Sequence, residues 1–156
     1  MRQAIGTTWV MQLVIIFMLI FVAFLALTIN YTKAFKIKNE LITFIEKNEG
    51  VSEREGGTLD LIDNYLLYNN YGVAGTCPEG SYGIDNLQSP VLKDTSNGGR
   101  YYYCIEKIPT AGTSTFNRAR YRVTVFFHFS LPIIGDIFTF SVDGETVDIT
   151  NPVDNL

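Results

Sequence analysis

The chain has 156 residues, with 12 basic and 16 acidic side chains, one histidine, two cysteines and a formal net charge of −4. Arg2 is the only basic side chain before Lys33, so residues 30–156 hold 11 basic groups against all 16 acids, five charges negative. That balance argues against non-specific nucleic-acid binding, which needs a basic footprint, and the same 127 residues can bury a core without a cofactor.

The first element is apolar on every face. From Trp9 to Ile29, 21 residues include only Gln12 and Thr28 as clearly polar groups. At about 1.5 Å per residue they span roughly 31 Å, the thickness of a bilayer's hydrocarbon core. A secretory signal has a shorter apolar run, about 7–15 residues, ended by small residues at a cleavage site. "FLALTINYTKAF" offers no such site, so a retained single span is expected. No Gly or Pro interrupts the 43 residues from Thr7 to Glu49. Beyond Asn30, Tyr31, Phe35, Leu41, Ile42 and Ile45 fall on one helical stripe, with Ala34 and Phe44 beside them. Lys33, Lys36, Lys38, Asn39, Glu40, Glu46 and Lys47 supply the polar remainder, and Gly50 is a natural C′ stop. The spacing predicts one helix of about 40 residues, about 60 Å long. The organisation read from this is a tail over 1–8, a membrane span over 9–29, an amphipathic extension over 30–50 and a domain over 51–156.

Which side of the membrane holds the domain is argued from two signals. Lys33, Lys36 and Lys38 outnumber Arg2 and the terminal amine, which by the positive-inside count favours the cytoplasm. Long domains translocate largely regardless of charge, and an even cysteine count, Cys77 and Cys104, suggests one disulfide in an oxidising compartment. The competing reading is two unrelated thiols in a cytosolic domain. The domain is read as extracytoplasmic and bridged.

Val51–Gly57 is a polar connection. Thr58 is expected to cap a short helix through about Asn69, with Leu61, Ile62, Tyr65 and Leu66 inward. Residues 78–99, rich in Gly, Ser, Asn, Asp and Pro, read as a long surface loop. Strands are predicted over Arg100–Ile108, Arg118–Leu131 and Ile137–Val142. In the second, Tyr121, Val123, Val125, Phe127, Phe129 and Leu131 alternate with a mostly polar set, which marks one buried face. Asp143-Gly144 signals a tight hairpin turn before a short last strand, "ETVDI". The fold class is therefore α+β: a long N-terminal helix packed by its stripe on a small antiparallel sheet.

No nucleotide-binding, zinc-protease or nucleophile-elbow motif is present. His128 stands alone on the more polar strand face, and Asp60 and Asp63 read as solvated helix surface, so no catalytic, metal-binding or cofactor-binding residue and no small-molecule substrate is assigned. Three features point to contact surfaces instead. Arg118, Arg120 and Arg122 share one strand face, read either as an edge that blunts aggregation or as a docking stripe for an acidic partner surface or an anionic envelope polymer. Among Tyr101, Tyr102 and Tyr103, at least one should be exposed. The connection "LPIIGDIF", with Ile133 and Ile134 at its centre, is apolar where most turns are polar, and either folds under the sheet or contacts a neighbouring subunit or lipid.

The short basic N-terminus, Gly6, the apolar span and the continuing helix of "RQAIGTTWVMQLVIIFMLIFVAFLALTINYTKAFKIKNELITFIEKNEG", with the tail "YRVTVFFHFSLPIIGDIFTFSVDGET", resemble the TadE/TadF-like pseudopilins of the tight-adherence (Tad) pilus machinery, in a Firmicutes-like version. The resemblance covers roughly half the chain. It implies a pilin-like fold, a membrane-anchored structural or assembly role without enzymatic activity, and other pilin-like subunits or assembly proteins as partners. It also implies leader cleavage between Gly6 and Thr7. Met11 stands where many such proteins carry a glutamate. The alternative is a single-pass membrane protein whose extracytoplasmic module binds a partner or ligand.

Overall fold

The computed structural model describes residues 2–113, 116–131 and 135–153. Helix α1 runs without a break from Arg2 to Lys47, 46 residues and about 69 Å. Helix α2 (Thr58–Tyr68) follows. The strands are β1 (Tyr82–Ile84), β2 (Lys93–Asp94), β3 (Tyr103–Thr113), β4 (Phe116–Leu131), β5 (Gly135–Glu145) and β6 (Ile149–Thr150). They form one antiparallel sheet in the order β2-β1-β3-β4-β5, with β6 also paired to β4. The α+β arrangement read from the sequence is the one observed.

Alternation in β4 decides which face is covered. Ala119, Tyr121, Val123, Val125 and Phe127 are buried. They join Ala34, Ile37, Leu41 and Ile45 of α1, Leu59, Ile62 and Leu66 of α2, and Tyr103 and Ile105 of β3 in one core. The spacing 34-37-41-45 is a single helical stripe, rotated slightly from the expected one. Ile37 occupies it, whereas Tyr31 and Phe35 are exposed. Lys38, expected on the polar side, is only 8% exposed. Its ammonium sits 4.2 Å from the centre of the Phe35 ring, so the stem is buried while the charge finds a cation–π partner.

The opposite side of that stem explains Gly144. This residue is not in a turn: β5 continues through Asp143 and Gly144, which pair with Thr124 and Val123. A Cβ on Gly144 would lie 2.9 Å from Lys38 Cδ and 3.0 Å from Ile42 Cδ1. Glycine is there so that helix and sheet can close together. The last strand is displaced accordingly. Thr146 continues the ladder beside β4, its amide donating to the Tyr121 carbonyl and its hydroxyl accepting from the Tyr121 amide, each at 3.0 Å. The chain rejoins β4 as β6, opposite Arg118 and Ala119.

Both helices end in the same motif. Glu49 N–H donates to the Glu46 carbonyl and Gly50 N–H to that of Ile45, which makes Glu49, with φ 54°, the left-handed residue and Gly50 the one after it. Asn70, φ 52°, plays the same part after α2. Gly50 is one position beyond the expected C′, and its constraint is tighter. Its φ is +142°, and a Cβ would collide with the backbone carbonyl of Val153, whose own amide donates to the Glu49 carbonyl at 2.9 Å. Thr58 is the first residue of α2 rather than its cap, and its hydroxyl donates to the Gly50 carbonyl at 2.9 Å. Leu61 points outward; Leu59 and Asp63 point inward with Ile62 and Leu66.

Residues 78–99 contain more order than a surface loop. β1 pairs on one side with β2 and on the other with β3, and Thr95 fastens the segment by donating its hydroxyl to the Ser81 carbonyl at 2.9 Å.

Gly50→Ala is expected to cost about 1–3 kcal/mol, because a strained φ is combined with a backbone clash. Gly144→Ala should cost less, since only the ends of flexible side chains must move. Thermal melts of the full chain in detergent check the order, and a larger loss at Gly144 would overturn it.

Candidate functional site

On the face of β4 turned away from α1, the arginine stripe is a ladder of paired charges. Arg122 lies opposite Glu106 of β3 and Glu145 of β5 in the register. Its guanidinium donates to Glu106 Oε2 at 2.9 Å and to Glu145 Oε1 at 2.8 Å. Arg120 Nε donates to Asp148 Oδ1 at 2.5 Å. The hydrogen bond and charge of Arg120, with the Thr110 hydroxyl and the charge of Arg118 behind them, hold the Asp148 carboxyl below its ordinary range. Arg118 is exposed at the end of the row. Two of the three cations thus hold carboxylates of this chain. Such pairs, largely in solvent, contribute little to stability.

Further along the same face, the sheet is covered. Cys77 and Cys104 are bridged, with their Cα atoms 5.7 Å apart. Gly75 and Tyr101 exchange backbone hydrogen bonds of 2.9 and 2.8 Å beside the bridge. This lays the segment after α2 over Thr124 and Phe126, both buried, with Gly75 against the Phe126 ring and the Tyr71 hydroxyl donating to the Phe126 carbonyl. The tyrosine run is absorbed by this packing: Tyr101 and Tyr103 are buried and Tyr102 is half-buried, so the expected exposed member is missing. His128 Nδ1 is 3.1 Å from Thr139 Oγ1, and its carbonyl accepts from Asn30 Nδ2 at 3.1 Å. Among the described residues, no three His, Cys, Asp or Glu side chains gather as a metal site requires.

A strongly perturbed carboxyl lies where the sequence pointed to solvent. Asp63 is 2% exposed. Its Oδ1 accepts from the Tyr103 hydroxyl at 2.7 Å, and its Oδ2 has no partner among the described residues. Burial pushes its carboxyl up to about 7 from an ordinary 3.8; the Tyr103 hydrogen bond opposes this and the charge of Asp60 adds to it. Burial, and then the neighbouring Asp63, raise the Tyr103 phenol as well. So enclosed a carboxyl is out of reach of a dissolved substrate; it joins α2 to the sheet. The spacing 59-62-63-66 already placed it on the apolar stripe, a signal passed over because aspartate was assumed to be outside.

The last candidate region is the end of the sheet nearest the apolar half of α1. Leu27, Thr28, Tyr31, Phe127 and Phe140 line an open cleft of about 370 Å³. Phe127 stacks on Phe140 at 5.5 Å and meets Tyr31 edge-on at 5.9 Å. Phe138 and Phe140 are 58% and 45% exposed. Ile133 and Ile134 lie outside the described residues. At the far end of α1, Gly6 is helical and exposed, and a Cβ on it would meet nothing within 4 Å. Glycine inside a helix costs about 0.5–1 kcal/mol relative to alanine, and no contact among the described residues requires it at position 6. Thr7 continues the same helix. From Trp9 to Val22 every residue is exposed, and the helix is long and apolar enough to cross a membrane.

No family model, curated protein or solved structure matches the chain.

The Asp63 environment generates a pH dependence. The unfolded chain ionises this group near 4 and the folded chain near 7, so between those values the folded state holds the extra proton. Stability then falls as pH rises through that window, and the loss is complete above about 7. Asp63→Asn removes the ionisation and keeps an acceptor for Tyr103. It is expected to match the parent near pH 4 and to exceed it by ~2–4 kcal/mol at pH 8. Melting curves of both proteins across that range check this; parallel curves would overturn the assignment.

Proposed function

We propose that the chain is a membrane-anchored, pilin-like structural or assembly component of a Tad-type pilus or a related surface apparatus, without enzymatic activity, and with its C-terminal domain on the extracytoplasmic side. The observation that carries this reading is the division of one helix. From Thr8 to Val22 it is exposed all round, while Ala34, Ile37, Leu41 and Ile45 of its second half are sealed into the domain core. In water the first half would expose a continuous apolar cylinder; lipid, or the apolar halves of neighbouring copies, removes that cost.

Two further observations support the reading. The Cys77–Cys104 bridge fits an oxidising compartment. Gly6, unexplained by packing, fits a residue kept for recognition by a leader peptidase acting between Gly6 and Thr7. The alternative, an extracytoplasmic binding module, rests mainly on the arginine face, where Arg120 and Arg122 already hold carboxylates of their own chain.

The test is the intact mass of the native protein, recovered separately from sheared surface material and from washed membranes, with crosslinking to pilin-like subunits. The expected result is a chain beginning at Thr7 in the sheared fraction, two hydrogens light for the disulfide and crosslinked to other subunits. A full-length chain confined to membranes, without such crosslinks, would overturn the filament-associated reading in favour of a permanently anchored module.

A further inference from the structure

We infer that the exposed aromatic face of the β4–β5 ribbon, at Phe138 and Phe140, is a second membrane contact that enters the lipid interface beside the helix. This rests on the proposal that α1 spans a bilayer. The sheet is tied to α1 in reverse order along its length: Val147 N–H to Glu46 Oε1, Gly144 against Lys38, and the His128 carbonyl to Asn30. β4 therefore descends α1 toward its apolar half. The three residues from His128 to Leu131 advance about 10 Å at 3.3 Å each. The same distance along α1 from Asn30, about seven residues at 1.5 Å, reaches the level of Ala23. Ala23, Ala26 and Leu27 are partly covered while Phe24, Leu25 and the residues from Thr8 to Val22 are exposed, as expected where the ribbon runs alongside.

Side chains at this level suit the lipid interface. Phe127 and Phe140 pair across the ribbon on the face turned to α1, and Phe138, opposite Phe129 in the register, lies one step lower with its ring 6.2 Å from that of Phe140 and tilted to it by 52°. Phe138 and Phe140 thus carry the aromatic row past the core sealed by Phe127, and they are 58% and 45% exposed among the described residues. Lys33 and Lys36, both exposed, stand one to two turns above the end of the span, at headgroup height.

Depth is limited by two features. Past Val125, β4 has no β3 partner, so the ribbon has open edges, and unpaired backbone is not tolerated in lipid-exposed hydrocarbon. A register shift after Phe129 brings Asp136 opposite Ser130, and a charge is expensive at the bilayer centre but tolerable near the surface. The occupant is accordingly the lipid interface, entered to about 5–10 Å.

The single tryptophan, Trp9, makes this measurable. The full chain is reconstituted in vesicles of phosphatidylcholine and phosphatidylglycerol, and fluorescence is quenched either by lipids spin-labelled at shallow or deep chain positions or by aqueous iodide. The parent reports on the span through Trp9. Trp9→Phe combined with Phe138→Trp reports on the ribbon, Trp9→Phe with Phe140→Trp guards against a local folding defect, and Trp9→Phe with Val147→Trp serves as the aqueous reference. The expected result is quenching by the shallow lipid label several-fold stronger at positions 138 and 140 than at 147, with iodide access reversed. Lipid quenching of Trp9 with iodide access at 138 and 140 equal to that at 147 would overturn the ribbon contact and leave the span intact. Shielding of 138 and 140 from both quenchers would overturn it in favour of a protein neighbour. Absence of lipid quenching at Trp9 itself would remove the span, and the ribbon contact with it.

Discussion

The packing of Ala34, Ile37, Leu41 and Ile45 of α1 on the odd-numbered face of β4 positions the rest of the molecule. Both elements are long, and each continues past the contact. The helix runs on as the apolar half, and the strand as the aromatic ribbon. Because the two run antiparallel, one stripe of contact sets both the height at which the domain sits on its helix and the level at which the ribbon leaves the core. The helix lies close to the sheet because Gly144 has no side chain and Lys38 lays its stem across the space.

The other face of β4 is divided between two environments by a covalent link. Where Arg118, Arg120 and Arg122 lie, water solvates the strand and carboxylates from β3, β5 and the turn before β6 neutralise two of the cations. Where Thr124 and Phe126 lie, the segment held by Cys77–Cys104 takes the place of water. An antiparallel sheet with one wet face needs no such cover. Here the cover also carries Tyr71 to the Phe126 carbonyl, which no neighbouring strand satisfies on that edge.

How much of this was legible differs from residue to residue. The alternation from Tyr121 to Phe127 was read correctly because period two is unambiguous when one face is entirely apolar. The stripe expected on α1 holds Tyr31 and Phe35 and omits Ile37, whereas the helix turns Ile37 into the core and leaves the two aromatic rings exposed. Asp143-Gly144 looked like a turn because that dipeptide most often serves one; the reason for glycine was an approaching helix more than a hundred residues earlier in the chain. Asp63 was assigned to solvent by residue type although its spacing placed it with Leu59, Ile62 and Leu66. In the candidate contact regions, the arginine face was visible as a row, but its pairing with Glu106, Glu145 and Asp148 depended on a strand register that no local pattern encodes.

The sequence by itself determined the uninterrupted helix, its apolar first half, the buried face of β4 and the α+β class, and it suggested the pairing of the two cysteines that the structure shows. Each of these follows from local periodicity, from the absence of Gly and Pro, or from an even cysteine count. Only the tertiary structure decided which side chain of a row is exposed, why Gly50 and Gly144 must be glycine, and that an aspartate and a lysine lie inside. Those outcomes depend on which distant backbone arrives beside a residue, and burial and hydrogen bonding then reverse what residue type alone suggests.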